Sequence, residues 1–106
     1  MIWRPSVIAG GMSEPLEGWT DTLSAAGAPM LVVSLGLVSR LNMEGLNHFD
    51  MVPVDYVTNG LLISTANAGS SDQVLKIYNC GTSHVNPLNS RDFIKAVLKP
   101  IKYSKF

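Results

Sequence analysis

The chain has 106 residues, 46% of them hydrophobic, and its eight basic and eight acidic side chains give a net charge of zero. This size and composition fit one ordinary hydrophobic core and exclude an intrinsically disordered chain. The zero net charge removes the broad electrostatic argument for nucleic-acid binding. Because Cys80 is the only cysteine, an internal disulfide is excluded and a reducing intracellular compartment is favoured.

The sequence shows neither a secretory signal nor a candidate transmembrane segment. Its longest apolar run, residues 30–38, is interrupted by Ser34 and Gly36 and is far shorter than the roughly 20 residues that span a bilayer. Basic residues are concentrated in the C-terminal part of the chain. We interpret them as the solvated face of a helix rather than as a patch for a membrane or an acidic partner.

Strand and loop patterns alternate in the N-terminal part. Residues 2–8 have a β pattern that ends near two glycines, and a chain that opens inside a strand is expected to be part of a longer protein. Residues 13–21 combine proline, glycine and Trp19, which predicts an ordered loop docked by its indole. A short helix over residues 22–27 and a buried or partly covered helix over residues 30–42 are predicted to follow.

The central segment, residues 51–66, changes from strand to helix. Asp55 has the position of an N-cap, where its carboxylate would accept N–H groups of the first helical turn. Pro53 cannot donate to a ladder, so its strand is expected at an edge or about to leave the sheet. Gly60 costs helix stability, which predicts a close approach to another backbone. The stripe predicted to face a sheet comprises Val57, Leu61, Leu62, Thr65 and Ala66.

The C-terminal part repeats the strand, loop and helix order. Residues 73–80 are predicted to form a strand, reached through a turn at residues 69–72, and a loop follows over residues 81–89. Asn89 or Ser90 then caps a helix. Its apolar face comprises Phe93, Ile94, Val97 and Leu98, and its basic face Lys95, Lys99 and Lys102. This order, with about three strands, predicts the α/β fold class.

Several reactive side chains have simpler interpretations. Asp55 is interpreted as a helix cap rather than a catalytic acid, and Trp19 as a loop anchor rather than a platform for a ligand. His84 follows Cys80 by four residues, but a closed zinc site needs about four ligands and His48 is the only other histidine or cysteine. The serine beside His84 has no nucleophile-elbow sequence around it. Neither a metal site nor a hydrolase triad is predicted.

Four groups of residues, in this order along the chain, resemble the fatty acyl-CoA reductases, the "male sterility" family of extended short-chain dehydrogenase/reductases. They are Arg4-Pro5-Ser6-Val7, Glu14-Pro15-x-x-Gly18-Trp19-x-Asp21, Val52-Pro53-Val54-Asp55-x-Val57-x-Asn59, and Ile77-Tyr78-Asn79-Cys80 followed by Asn86-Pro87. The resemblance covers residues 3 to about 98. It implies that residues 1–106 are a partial Rossmann-type domain, the C-terminal portion of an acyl-CoA reductase domain, with its last sheet strands and its substrate-binding segment.

The resemblance also implies roles for individual residues. In the complete enzyme Pro5, Ser6 and Val7 would border the nicotinamide of NADPH. Five residues of the following loop would contact the acyl-CoA substrate: Glu14, Pro15, Gly18, Trp19 and Asp21. Members of this family pass hydride directly from the cofactor to the thioester carbonyl, so Cys80 need not act as a nucleophile. The resemblance also allows the parent enzyme an association with a membrane.

Two motifs of the family are absent from this sequence. There is no glycine-rich loop to bring backbone N–H groups to a pyrophosphate. None of the three tyrosines, Tyr56, Tyr78 and Tyr103, has a lysine four residues later, so the Tyr-x-x-x-Lys catalytic pair is missing. No catalytic residue and no metal ligand is therefore assigned. The chain alone is expected to be inactive and to bind no cofactor.

Two functions from different classes remain. The first is a portion of an alcohol-forming, NADPH-dependent fatty acyl-CoA reductase. The second is a non-enzymatic scaffold that keeps the substrate half of such a domain and uses the surface of residues 30–41 to hold a lipid or a partner. Under either, missing sheet neighbours would leave an exposed edge, which predicts a homodimer.

Overall fold

The computed structural model describes residues 1–23, 27–38, 40–69 and 75–103. These residues form four short strands and three helices in the order β1 (Ile2–Pro5), β2 (Val7–Ala9), α1 (Gly27–Ser34), β3 (Met51–Pro53), α2 (Val54–Ala68), β4 (Ile77–Cys80) and α3 (Ser90–Tyr103). The strands pair in parallel, β1 with β4 and β2 with β3, which confirms the α/β class. The predicted turn at residues 69–72 lies largely outside the described residues.

The segment that contains β1 and β2 is the centre of the strand arrangement. The amide of Ser6 donates to the carbonyl of Cys80 at 2.9 Å, and the next amide, that of Val7, donates to the carbonyl of Asp50 at 3.2 Å. Consecutive amides of an extended segment point to opposite edges. The predicted strand over residues 2–8 is therefore a pair of strands that changes partner at Ser6, with β4 on one edge and β3 on the other.

Helix α2 follows β3 without a loop, since Pro53 is both the last residue of the strand and the N-cap of the helix. The prediction that this strand is about to leave the sheet is confirmed. The buried face of α2 differs from the predicted stripe: Val57 and Ser64 are buried, whereas Leu62 is 63% exposed.

Gly60 lies on the packed side of α2 against an indole. A Cβ atom at this position would lie 2.7 Å from the Cη2 atom of Trp3. The predicted close approach is confirmed, but the neighbour is a side chain and not the expected backbone. The Trp3 ring also lies at a tilt to that of Tyr78, with 6.1 Å between ring centroids, so this side chain connects α2 with the paired strands β1 and β4.

The two remaining helices differ in how well their extents agree with the sequence prediction. Helix α1 ends at Ser34, and Gly36 follows with φ of 67°, a conformation that favours glycine and ends the helix. A helix continuing to residue 42 was therefore wrong. Residues 22 and 23 are not helical, and the middle of the predicted short helix lies outside the described residues.

Helix α3 begins as predicted. Asn89 accepts the amide of Asp92 through Oδ1 at 2.9 Å and donates through Nδ2 to its carboxylate at 2.8 Å, which is a reciprocal cap. Phe93 is buried and its ring lies 4.6 Å from that of Phe49. Lys95 and Lys99 are exposed, as the basic face predicted. In the described part of the chain no helix is both long and apolar enough to span a membrane.

Candidate functional site

The loop that follows β2 closes on itself through glycines. The Gly18 amide donates to the carbonyl of Gly11 at 2.7 Å, and the Gly11 amide donates to the carbonyl of Trp19 at 2.9 Å. A Cβ atom on Gly10 would lie 2.9 Å from the carbonyl oxygen of Gly18, and Gly18 has φ of 75°. These backbone approaches require glycine and fix where the chain turns back toward β2.

Asp55 holds the same loop from the first turn of α2. Its carboxylate accepts the amides of Met12 at 3.1 Å, Ser13 at 3.0 Å and Glu14 at 3.3 Å, 41 to 43 residues away in the sequence. It also accepts the Ser13 hydroxyl at 3.4 Å. The predicted N-cap role, in which Asp55 accepts the amide of Val57 or Thr58, was wrong, because Pro53 occupies the N-cap position. Within the helix the Asp55 carboxylate accepts the amide of Tyr56 at 3.2 Å, and its other bonds go to the distant loop.

The hydrogen bonds of this loop keep the Asp55 carboxylate ionised. The amide of Met12 is the largest influence, and with those of Ser13 and Glu14 it lowers the pKa of Asp55 to about 2 against the opposing effect of burial. Trp19, which the sequence predicted as the anchor, is 39% exposed and lines the cavity described below. The loop is therefore docked by a carboxylate, and its indole remains accessible.

Asp50, which directly precedes β3, holds the loop that follows β4. Its Oδ1 accepts the amides of Thr82 at 2.9 Å and Ser83 at 3.2 Å, and the Thr82 hydroxyl donates to the carbonyl of Met51 at 2.9 Å. The Thr82 amide, with further hydrogen bonds from Ser83, lowers the pKa of Asp50 despite partial burial. Burial, and secondarily the charge of Asp50, raises the pKa of the free Cys80 thiol.

A cavity of about 980 Å³ lies between the end of β2, the returning loop, the start of α1 and residues 48–50. Its volume is within the range of small-molecule sites. Its lining combines the two groups of predicted contacts: Ser6 and Val7 from the strand junction, and Gly18, Trp19 and Asp21 from the loop. The lining does not include Pro5, Glu14 or Pro15. The amide of Glu14 instead belongs to the Asp55 anchor.

Four polar residues of the lining were not predicted as contacts: Thr20 and Thr22, which adjoin the predicted loop, and His48 and Asp50, which are distant from it in sequence. His48 and Asp50 reach the cavity from the segment before β3, and His48 pairs with Asn89 in an isolated antiparallel bridge. Sequence spacing could not place them beside β2, because only the parallel pairing with β3 brings them there. No group of three or more histidine, cysteine, aspartate or glutamate side chains in the described ranges is arranged to hold a metal ion.

Comparisons with known proteins show which family the sequence is similar to. Residues 1–61 match the NAD-binding family described as male sterility protein. The chain is 30% identical over 88 residues to the probable fatty acyl-CoA reductase 5 of Arabidopsis thaliana, an alignment that covers 83% of this chain and 18% of that protein. It is 28% identical over 89 residues to fatty acyl-CoA reductase 1 of Homo sapiens, covering 83% of this chain and 17% of that protein. The chain thus spans less than a fifth of the length of these relatives.

Proposed function

The chain belongs to the male sterility family of fatty acyl-CoA reductases, and from this premise we propose that it forms part of a reductase that uses NADPH to convert long-chain acyl-CoA to fatty alcohol. The observation that carries the proposal is the shared cavity, which has the Ser6–Val7 strand junction on one side and the Trp19–Asp21 loop on the other. In this proposal the junction borders the nicotinamide and the loop borders the acyl thioester.

The residues of the cavity fit this division of tasks. Of the three candidate cofactor contacts, Ser6 alone has a polar side chain, and its Oγ has no hydrogen-bond partner in the described part of the chain. It therefore has hydrogen-bonding capacity that the fold does not use. The apolar members of the lining, among them Val7, Ile8 and Met30, suit an alkyl chain and exclude water from a reacting carbonyl.

The bound cofactor would supply the hydride, and the residues of this chain would position the cofactor and the substrate relative to each other. The Asp55 carboxylate holds the loop, and backbone hydrogen bonds to the two parallel neighbours hold the strand junction. Together these hydrogen bonds set the distance between the cofactor side and the substrate side of the cavity. The sequence has no glycine-rich loop and no Tyr-x-x-x-Lys pair. We therefore propose that the pyrophosphate cradle and the proton donor come from elsewhere in the enzyme, and that this chain alone is inactive.

A titration of the isolated chain tests the proposal. Lauroyl-CoA added to the ¹⁵N-labelled chain should shift the amide signals of Gly10, Gly18 and Thr20, and Trp19→Ala should weaken its binding by about tenfold, since an aromatic contact area is lost. Leu16→Ala is the matched control, because Leu16 is exposed on the same loop and outside the lining. Unchanged cavity amides would contradict the acyl side of the proposal.

NADPH is the second arm of the same experiment. The isolated chain should bind it only weakly, with a Kd above about 1 mM, because the phosphate-binding loop is not in this sequence. A micromolar Kd would show that the cofactor site is complete here and would overturn the division proposed above.

The non-enzymatic scaffold is the second candidate function. It is favoured by the exposed leucines after α1, of which Leu37 is 72% exposed and Leu46 is 67% exposed. Sequencing the transcript upstream of Met1 separates the two candidates, since a reductase requires the glycine-rich loop and the Tyr-x-x-x-Lys pair in frame. Their absence would leave the scaffold as the better proposal.

The homodimer also remains a prediction. Among the described residues β3 and β4 each have a single partner strand, so each has an edge on which another strand can pair. Size-exclusion chromatography with light scattering checks it, and a well-folded monomer at high micromolar concentration would count against it.

A further inference from the structure

A second cavity, of about 700 Å³, lies between the end of α1, the segment that follows it and the first turns of α3. Its walls are largely apolar, with Val33, Val38 and Leu41 on one side and Ile94 and Leu98 on the other. Its lining has no residue in common with that of the cavity at the strand junction. The proposal for the first cavity therefore leaves this one without a role.

The charged side chains of the second cavity all have the same sign. Arg40, Arg91 and Lys95 belong to its lining, and no aspartate or glutamate does. Lys95 is 3.4 Å from the carboxylate of Asp92, whereas in the described part of the chain neither arginine has a carboxylate within salt-bridge distance. Two guanidinium groups thus remain available to an anion at the rim of an apolar pocket.

Gly45 leaves the space in which one of these groups lies. The amide of Arg91 donates to the carbonyl of Gly45 at 3.0 Å, and a Cβ atom on Gly45 would come within 3.4 Å of the Arg91 Nε atom. The absence of a side chain at this position lets the guanidinium lie along the loop. The start of α3 is also fixed, because the Ser90 amide and hydroxyl both donate to the carbonyl of Asn47.

An apolar extension continues from the second cavity into the protein. A smaller cavity of about 140 Å³ shares Val33, Leu41, Met43 and Ile94 with it. The remaining walls of this smaller cavity are also apolar and include Phe49 and Phe93. An alkyl chain can enter there without desolvating a charged group, while an attached anionic group stays at the basic rim.

We propose that this second cavity binds a single-chain anionic amphiphile, such as a fatty carboxylate, with its anion on Arg40 and Arg91 and its alkyl chain in the apolar extension. The proposal goes beyond the reductase function, because the basic rim and the walls of the second cavity have no residue in common with the first cavity. Only the smaller apolar cavity shares residues with the first, namely Met30 and Phe49. Charge complementarity selects the occupant: a neutral alcohol of the same length uses the apolar walls but not the two guanidinium groups.

Decanoate titrated into the ¹⁵N-labelled full chain tests the site. It should shift the amides of Val33, Gly36, Leu41 and Gly45 and leave those of Gly10 and Gly18 unchanged. Decan-1-ol should bind about tenfold more weakly. Shifts confined to the strand-junction cavity, or equal affinity for the alcohol, would overturn the proposal without bearing on the acyl-CoA titration described above.

Matched basic variants sharpen the test. Arg40→Ala should weaken decanoate binding by about three- to fivefold, as expected for a partly exposed ion pair, and Arg40→Lys should retain most of the affinity. Lys99→Ala is the control, because Lys99 is an exposed cation on α3 outside the lining. Equal losses for Arg40→Ala and Lys99→Ala would show non-specific charge attraction and overturn the assignment.

Two further probes distinguish the source of the anion. Inorganic phosphate alone should bind far more weakly than decanoate, and equal binding would show that the apolar walls are not used. Vesicles of phosphatidylserine should not compete with decanoate for the site. Binding to such vesicles in the absence of decanoate binding would replace the single-chain site with a membrane surface and would overturn the proposal.

Discussion

Asp50 and Asp55 flank β3, and each accepts hydrogen bonds from a loop that is distant in sequence. The two carboxylates differ in the loop they bind, in their burial and in the number of amides they accept. Asp55 is buried and accepts three backbone amides of the loop beside the candidate site. Asp50 is partly buried and accepts two amides of the loop after β4. Asp55 also lies in the first turn of a helix, where the helix dipole stabilises its charge.

Asp55 therefore positions the loop of the candidate site, whereas Asp50 holds the loop that follows β4. The Asp55 loop includes the residues proposed to contact substrate, and the backbone hydrogen bonds of Gly11, Gly18 and Trp19 stay within the loop itself. The Asp50 loop is additionally held by the pairing of β4 with β1. Loss of Asp55 should therefore disturb the cavity more than loss of Asp50 does.

The most damaging change should be Asp55→Ala. It leaves the amides of Met12, Ser13 and Glu14 without their acceptor, so we expect Tm to fall by roughly 10 °C and hydrogen exchange at these amides to accelerate. Asp50→Ala should lower Tm by about half as much, with faster exchange at Thr82 and Ser83 instead. Circular dichroism and exchange NMR measure both.

A larger loss of Tm in Asp50→Ala than in Asp55→Ala would contradict this comparison. Equal exchange rates at Met12, Ser13 and Glu14 in the unmodified chain and in Asp55→Ala would show that the loop does not depend on the carboxylate. Asp92→Ala serves as the control, since Asp92 is an exposed aspartate whose hydrogen bonds, to Asn89 and Lys95, stay near the start of α3 and involve neither loop.

Acid should weaken both anchors, because the pKa of each carboxyl is lowered on folding. The pKa of Asp55 falls from its ordinary 3.8 to about 2 on folding, so its stabilising effect is complete above pH 3.8 and is lost as pH falls through about 2. Tm of the unmodified chain should decline between about pH 4 and pH 2. Asp55→Asn, which cannot ionise, should show a smaller decline than Asp50→Asn in the same thermal scans. Parallel curves for the two variants would contradict this assignment.

The smallest expected effect concerns the Cys80 thiol. Burial is the main reason that the pKa of Cys80 is raised, and the negative charge of Asp50 is the second. Asp50→Asn should therefore lower the apparent pKa of Cys80 and raise its alkylation rate near pH 8 by about two- to threefold. Asp55→Asn should leave the rate unchanged. A higher rate in Asp50→Asn without a shift of the pH profile would indicate loop opening rather than loss of charge.

The local predictions that succeeded depend on neighbouring residues. The cap of α3 by Asn89 and its apolar and basic faces follow from spacing within one helix. The family was identified from four short motifs and is confirmed by the matches to male sterility proteins. The predicted extent of the helix over residues 30–42 failed for a local reason, since Gly36 has a positive φ after α1 has ended. The predicted role of Asp55 failed because its partners are distant in sequence, and nothing in residues 51–66 indicates that its carboxylate binds residues 12–14.

The family and the α/β class could be predicted from residue types at fixed spacing. The buried face of α2, the loop that each carboxylate binds, and the presence of His48 and Asp50 in the same cavity as Ser6 became visible in the folded chain alone. The physical reason is the parallel pairing of β2 with β3, which brings together segments more than 40 residues apart, as the 43-residue separation of Met12 and Asp55 illustrates.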